Sequence, residues 1–315
     1  MKEKMDFEEF KKIVVNEIRK YLPEEYTDAS IVTESITKNN DTKLTALIIR
    51  KKGVNIAPTI YIDEYYQHYS RGGLFEDILQ EIATIRIEND VECNFEIEEI
   101  TDFENCKHKI LPRLINAAWN ESLLDERPHI LMADLAVVFY IELLRNSEGV
   151  MSVGITYGIA DTWSVSTEEL YQIAIDNLTA AHLGKIDSMK NVIRELLLPD
   201  VPELDYRDEA EALLRNMLPP EDKIYIVTNK DRNLGACELL DKVAMQEIIE
   251  KVGENFFVLP SSIHECLIVA TNNDEFVKSY LEDLVRTINC ERVDPRDRLS
   301  DNIYRYDKER GLKLA

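Results

Sequence analysis

Residues 255–271 read NFFVLPSSIHECLIVAT. Two apolar runs flank one proline and two serines. Each run has strand length, short for a helix, and is rich in β-branched and aromatic residues. Pro260, Ser261 and Ser262 supply turn chemistry between them. Asn273 is placed to cap a helix over 274–288. The order is strand, strand, helix. The preceding residues predict the same order: a strand over 223–228, a polar turn over 229–233, and a second strand over 234–240. Asp241 then caps a helix that stops at Gly253. Two strand-strand-helix units predict an α+β fold, with mixed or antiparallel sheets and helices packed on one face.

The same stretch poses a chemical question. Ser261, Ser262, His264 and Glu265 stand within five positions, and Cys266 is next in the chain. A zincin helix needs H-E-x-x-H, which sets two imidazoles one turn apart, and the second histidine is missing. A hydrolase elbow needs G-x-S-x-G, and neither glycine is present. If 263–271 is a strand, His264 and Glu265 point to opposite faces. The serines then read as turn residues bonding nearby backbone. The competing reading is a hydrolase-type site assembled in three dimensions around Ser261, Ser262, His264 and Glu265.

Toward the N-terminus, residues 5–21 predict a helix with Phe7, Phe10, Val14 and Ile18 on one face, Asp6 as its cap and Pro23 beyond its end. Residues 30–62 predict three strands, with turns at 39–41 and 52–53 and an edge position for the third because of Pro58. Gly72 and Gly73 open a helix over 74–88. Residues 102–121 read as helix, limited or kinked by Pro112. LLDERP at 123–128 has linker character, so two domains are expected, 1–125 and 129–315. In the second, a strand over 134–142 and a partner over 150–157 form a hairpin about a turn at 146–149. Ser166 and Glu169 form an S-x-x-E capping box for a helix to 181, with more helix to 198. A short helix is expected over 208–217.

Two further groups are candidates for ligand binding. Tyr65, Tyr66, Tyr69 and Arg71 precede the glycine pair; they suit either a ligand surface or the margin of a core. Asn229 and Asp231 stand in the turn TNKDRNLGA, where polar residues serve backbone geometry as often as ligands. The five histidines are dispersed, with no pair at metal-ligand spacing, so no metal and no cofactor is expected. The five cysteines are also dispersed, without C-x-x-C, which fits reduced thiols in a cytoplasmic protein.

Of 315 residues, 45% are apolar, so a sizeable core is available. Sixty acids against 37 bases give a net charge of −23. Such a surface repels phosphate backbones and anionic membranes, which argues against nucleic-acid and membrane partners. The longest apolar run, ILMADLAVVFYIELL, is interrupted by Asp134 and Glu142 and is too short to span a bilayer. MKEKMDFEEFKK has no apolar leader region.

The phrases YIVTNKDRNLGACELL, FFVLPSSIHECLIVA and LSDNIYRYD resemble an uncharacterised family of about this length from anaerobic gut Firmicutes, a domain of unknown function. MDFEEFKKIVVNEIRKYLP and TIYIDEYYQHYSRGG resemble the same family, so the similarity spans the chain. DLAVVFYI through STEELYQIAIDNL is similar to part of a second uncharacterised bacterial family. The resemblance implies a bacterial, cytosolic, full-length protein and brings no activity or site residue. The expectation is a non-catalytic binding or regulatory protein acting through a protein partner or small molecule.

Overall fold

A computed structural model describes residues 4–54, 57–90, 98–146, 149–197, 224–271, 275–309 and 311–315. The class is α+β, and the chain forms two compact units, Met1–Glu99 and Ile100–Ala315.

In the first unit, helix α1 (Phe7–Glu17) begins where Asp6 accepts the Glu9 N–H at 2.8 Å. Strands β1 (Ser30–Thr37), β2 (Lys43–Arg50) and β3 (Thr59–Tyr61) form an antiparallel sheet with β2 in the centre. Pro58 stands just before the edge strand, where its missing N–H costs no ladder bond. Two helices come next, α2 (Ile62–Ser70) and α3 (Phe75–Glu88). One core joins Phe10, Val14 and Ile18 at α1, Leu47 and Ile49 of β2, and Ile78 and Ile82 of α3.

The second unit starts earlier than the linker character of 123–128 suggests. Residues 102–121 form no continuous helix. A single turn, Phe103–Cys106, precedes strand β4 (Ile110–Asn116). Pro112 suggested a helix kink, but β4 is an edge strand, where proline is tolerated. β4 pairs with β6 (Leu135–Asn146) from Ile110↔Ile141 to Asn116↔Leu135, which ties residues 110–116 to this unit. Along its other edge β6 pairs first with β5 (His129–Met132), then with β7 (Gly149–Gly154), the expected hairpin partner.

Helix α4 (Thr167–Ala181) opens with the complete capping box of Ser166 and Glu169. His182 then adopts a left-handed conformation (φ +47°), and the helix stops. The chain continues as strand β8 (Gly184–Ser188), where more helix was expected, and then as α5 (Met189–Leu197). The helix expected over 208–217 and the Asn273 cap lie outside the described residues.

The second sheet of this unit has six antiparallel strands, in the order β13 (Gly311–Leu314), β12 (Tyr304–Asp307), β10 (Asn255–Pro260), β11 (Cys266–Ala270), β9 (Ile224–Asn229) and β8. Helices cover both faces rather than one. Phe256, Val258, Cys266 and Ile268 face a core shared with Leu170 and Leu178 of α4 and Ala244 and Ile248 of α6 (Lys242–Val252). Phe257 and Leu259 face Leu281 and Val285 of α7 (Glu275–Arg292). A strand apolar at every position, as FFVL is, buries both faces.

One element departs from the doubled pattern. Residues 235–240, expected as a strand, form a 3₁₀ helix, Gly235–Leu240. The place beside β9 is already held by β8, from Gly184↔Asn229 to Ser188↔Tyr225. Arg232 (φ +52°) and Leu234 (φ +60°) turn the chain back on itself instead. Asp241 then caps α6 as expected, accepting from Val243 and Ala244.

Candidate functional site

The SSIHE stretch is a turn that braces two neighbouring loops. Ser262 Oγ accepts the His264 N–H at 3.0 Å, and the Ser262 N–H donates to the Glu265 carbonyl at 3.1 Å. The His264 carbonyl accepts from the Gly235 N–H at 3.0 Å and from Thr228 Oγ1 at 2.8 Å. The Ile263 N–H donates to the Asp297 carbonyl at 2.7 Å. The imidazole joins the same scaffold. Its Nδ1 accepts the Leu234 N–H at 3.0 Å, which assigns the proton to Nε2, 3.4 Å from Asp297 Oδ1. No serine hydroxyl bonds to the ring among the described residues. Ser262 is buried and spends its oxygen on backbone, and Ser261 is partly exposed beside it. Glu265 contributes its carbonyl to the turn.

The tyrosines of the first unit sit at a core margin. Tyr66 packs 4.9 Å from Phe7 and 5.4 Å from Phe10, and Tyr69 lies 6.1 Å from Phe75. The Met5 N–H donates to Tyr69 Oη at 3.2 Å, and Tyr66 Oη donates to the Met5 carbonyl at 3.4 Å. Tyr65 packs against the same cluster, and burial pushes its hydroxyl pKa up. Arg71 is exposed and ends α2 through its backbone N–H.

Asn229 and Asp231 lead to a different place. Asn229 closes its own loop, with Nδ2 donating to the Asn233 carbonyl at 2.6 Å and Oδ1 accepting the Asn233 N–H at 3.0 Å. It also lines a partly enclosed cavity of about 20 Å³ between β4, β6, β7 and the 3₁₀ helix. Asp231 accepts from Arg145 Nη1 at 2.8 Å, and Arg145 lines the same cavity. Arg145 is also held by both oxygens of Glu142, at 2.9 and 2.6 Å, so its charge is doubly answered and its pKa is pushed up. Arg113 donates to Ser152 Oγ at 2.6 Å and stacks its guanidinium 3.8 Å over the Tyr140 ring. Burial lowers its pKa.

Glu238 is the anomaly of this wall. It is 1% exposed, and neither carboxylate oxygen has a hydrogen-bond partner. Gly184 leaves it room; a Cβ there would stand 3.0 Å from Oε2. Burial, reinforced by Asp241, pushes its pKa up to about 7, and Arg145 opposes the shift. The neighbouring Cys237 thiol is pushed up to about 12 by burial and by Glu238, so it is protonated and unreactive at neutral pH. The cavity therefore offers a binding wall of fixed charges, with no activated nucleophile among its described residues.

Of the residues predicted for a site, Asn229 lines this cavity and Asp231 holds one of its arginines. Ser261, Ser262, His264 and Glu265 meet elsewhere, and the tyrosines belong to the other unit. Sequence reasoning missed Arg113, Tyr140, Glu142, Arg145 and Glu238. The available signal was a charge inside an apolar run, as in ILPRLIN and ACELL. Among the described residues no group of three His, Cys, Asp or Glu is placed to hold a metal ion, and no helix is long and apolar enough to cross a membrane.

A family model described as a family of unknown function, DUF5688, matches residues 7–308. No curated protein and no solved structure matches the chain.

Proposed function

The chain belongs to the DUF5688 family, whose description carries no activity, and from the site itself we propose a non-catalytic binding protein with a small-molecule site at the Glu238 cavity. One observation carries this reading. A carboxylate almost wholly removed from water, with both oxygens unpartnered, costs several kcal/mol by order of magnitude unless something answers it. Buried polar groups left unpaired by the chain mark places where a proton, water or ligand completes the structure. The surrounding wall combines apolar Leu111, Leu178, Leu183 and Leu234 with a few oriented polar groups, the composition of a ligand site.

The setting we propose is the cytosol of a bacterium, of the gut-anaerobe type implied by the resemblance. The unbridged thiols of Cys237, Cys266 and Cys290 support a reducing compartment. The hydrolase reading of Ser261, Ser262, His264 and Glu265 draws no support from their geometry, since Ser262 and His264 are engaged with backbone.

The test is a thermal-shift screen of the whole chain against small amines, amino acids, carboxylates and phosphates, repeated with Glu238→Gln. A true ligand raises Tm with a dependence on concentration set by its affinity for the folded state. The expected result is stabilisation by at least one class, lost in the variant. Stabilisation by none of the four classes would overturn the reading.

A further inference from the structure

We propose that the cavity binds the protonated amino group of a small amine, with the Glu238 carboxylate as its counter-ion. The inference rests on the reading of this cavity as a ligand site and adds the chemistry of the ligand. Each cation of the wall already has a partner. Arg145 is shared by Glu142 and Asp231. Arg113 is held by Ser152 and the face of Tyr140. Glu238 alone among these charged side chains has nothing donating to it. What the wall lacks is a positive donor, not an acceptor.

Sign and size agree with this. An anion entering here would meet Glu238 and Glu142 in the wall, and Asp241 adds to the negative field at Glu238. The cavity holds about 20 Å³, enough for one water-sized group. An ammonium head is that size; a carboxylate or a phosphate is larger. The cavity is only partly enclosed, so the substituent of the amine has a way out. A water molecule is the competing occupant, and it would satisfy hydrogen bonding without answering the charge.

Every element packed around Glu238 bears on its ionisation. Asp241, the cap of α6, disfavours the charge and Arg145 of β6 favours it. Glu142 of β6 holds that arginine, Arg113 of β4 lines the same cavity, and Cys237 stays a neutral thiol. On the β8 side Gly184 is uncharged, and Lys185 pairs with Asp187 at 2.7 Å. From α4, Thr179 donates to Asp241 at 2.6 Å. Binding of a cation thus requires Glu238 to release its proton. A simple amine stays protonated to near pH 10, so the carboxylate sets the pH dependence.

The experiment is calorimetric titration of the whole chain with methylamine hydrochloride, with sodium acetate and sodium chloride as parallel arms. Methylamine is expected to bind and the other two not. Its affinity should rise roughly 30-fold from pH 5.5 to 8, tracking the ionised share of a carboxylate titrating near 7. Glu238→Gln should abolish binding while near-ultraviolet dichroism stays native. Gly184→Ala, which crowds the carboxylate, should weaken it. Unchanged binding in Glu238→Gln, or binding of acetate in place of methylamine, overturns the amine assignment and leaves the cavity a ligand site. If no arm binds and Glu238→Gln only raises Tm, the cavity holds water and the assignment also falls. Failure of the broader function is read separately, from the four-class screen.

Discussion

Among the described residues, one charged side chain in each unit is sealed from water to the same degree. Arg86 and Glu238 are both 1% exposed. Arg86 is answered on every side. Its Nε donates to the Ile49 carbonyl at 2.8 Å, its Nη1 to Asp90 at 2.8 Å, and its guanidinium lies 4.9 Å over the Tyr26 ring. Lys51 bonds the same Asp90, whose carboxyl is held below the usual range despite its burial. Glu238 has an oppositely charged neighbour, Arg145, that is already committed to two other carboxylates. The first charge is a closed structural device. The second is open, and an open buried charge takes up protons or ligands as conditions allow.

The largest effect should come from breaking the closed device. Arg86→Ala leaves Asp90 with Lys51 alone, takes a donor from the Ile49 carbonyl and empties the space of a fully buried side chain, at a cost of about 3–5 kcal/mol in denaturant unfolding. Glu238→Gln should do the opposite and stabilise. The folded state keeps the Glu238 proton between about pH 4.5 and 7, whereas the unfolded state has released it. Stability therefore falls as pH rises through that window and is flat above it. The uncharged variant escapes the loss, so its advantage should grow by roughly 3 kcal/mol from pH 4.5 to 7. An advantage independent of pH would show that Glu238 is answered in solution, and the contrast with Arg86 would disappear.

A smaller effect tests whether the wall around Glu238 depends on the SSIHE brace. A Cβ on Gly235 would stand 2.4 Å from the Asn229 backbone nitrogen and 2.8 Å from the His264 carbonyl oxygen. Gly235→Ala must push the 3₁₀ helix away from both. The expected loss is about 1–3 kcal/mol, the usual range for overpacking. Hydrogen exchange should locate the loosening at residues 229–240.

Much of the fold was legible because local chemistry agreed with the tertiary outcome. Asp6, Ser166 and Asp241 cap helices at the positions their local sequence predicts. The strands on either side of PSSIHE are recognisable from their length and composition. The elements that differ from expectation share a cause, which is that their partners lie far along the chain. Residues 234–240 look like a strand until β8 occupies the position beside β9. Pro112 looks like a helix breaker until β4 becomes an edge. The candidate site was legible only in Asn229 and Asp231, which stand in a polar loop. Arg113, Arg145 and Glu238 come from β4, β6 and the 3₁₀ helix, and only the packed unit brings them to one cavity.

The smallest effect on stability should come from Asp231→Asn, and it is the finest test of the comparison. Asp231 is 40% exposed, so its ion pair with Arg145 contributes less than about 1 kcal/mol. Its influence on Glu238 should be larger than its influence on folding. With one carboxylate removed, more of the Arg145 charge is available to Glu238, which then ionises at lower pH. The pH window in which Glu238→Gln outperforms the parent should become narrower in the Asp231→Asn background. If it does, the open charge is tuned by how thoroughly its neighbour is occupied. If the window is unchanged, Arg145 does not reach Glu238, and burial alone raises its pKa.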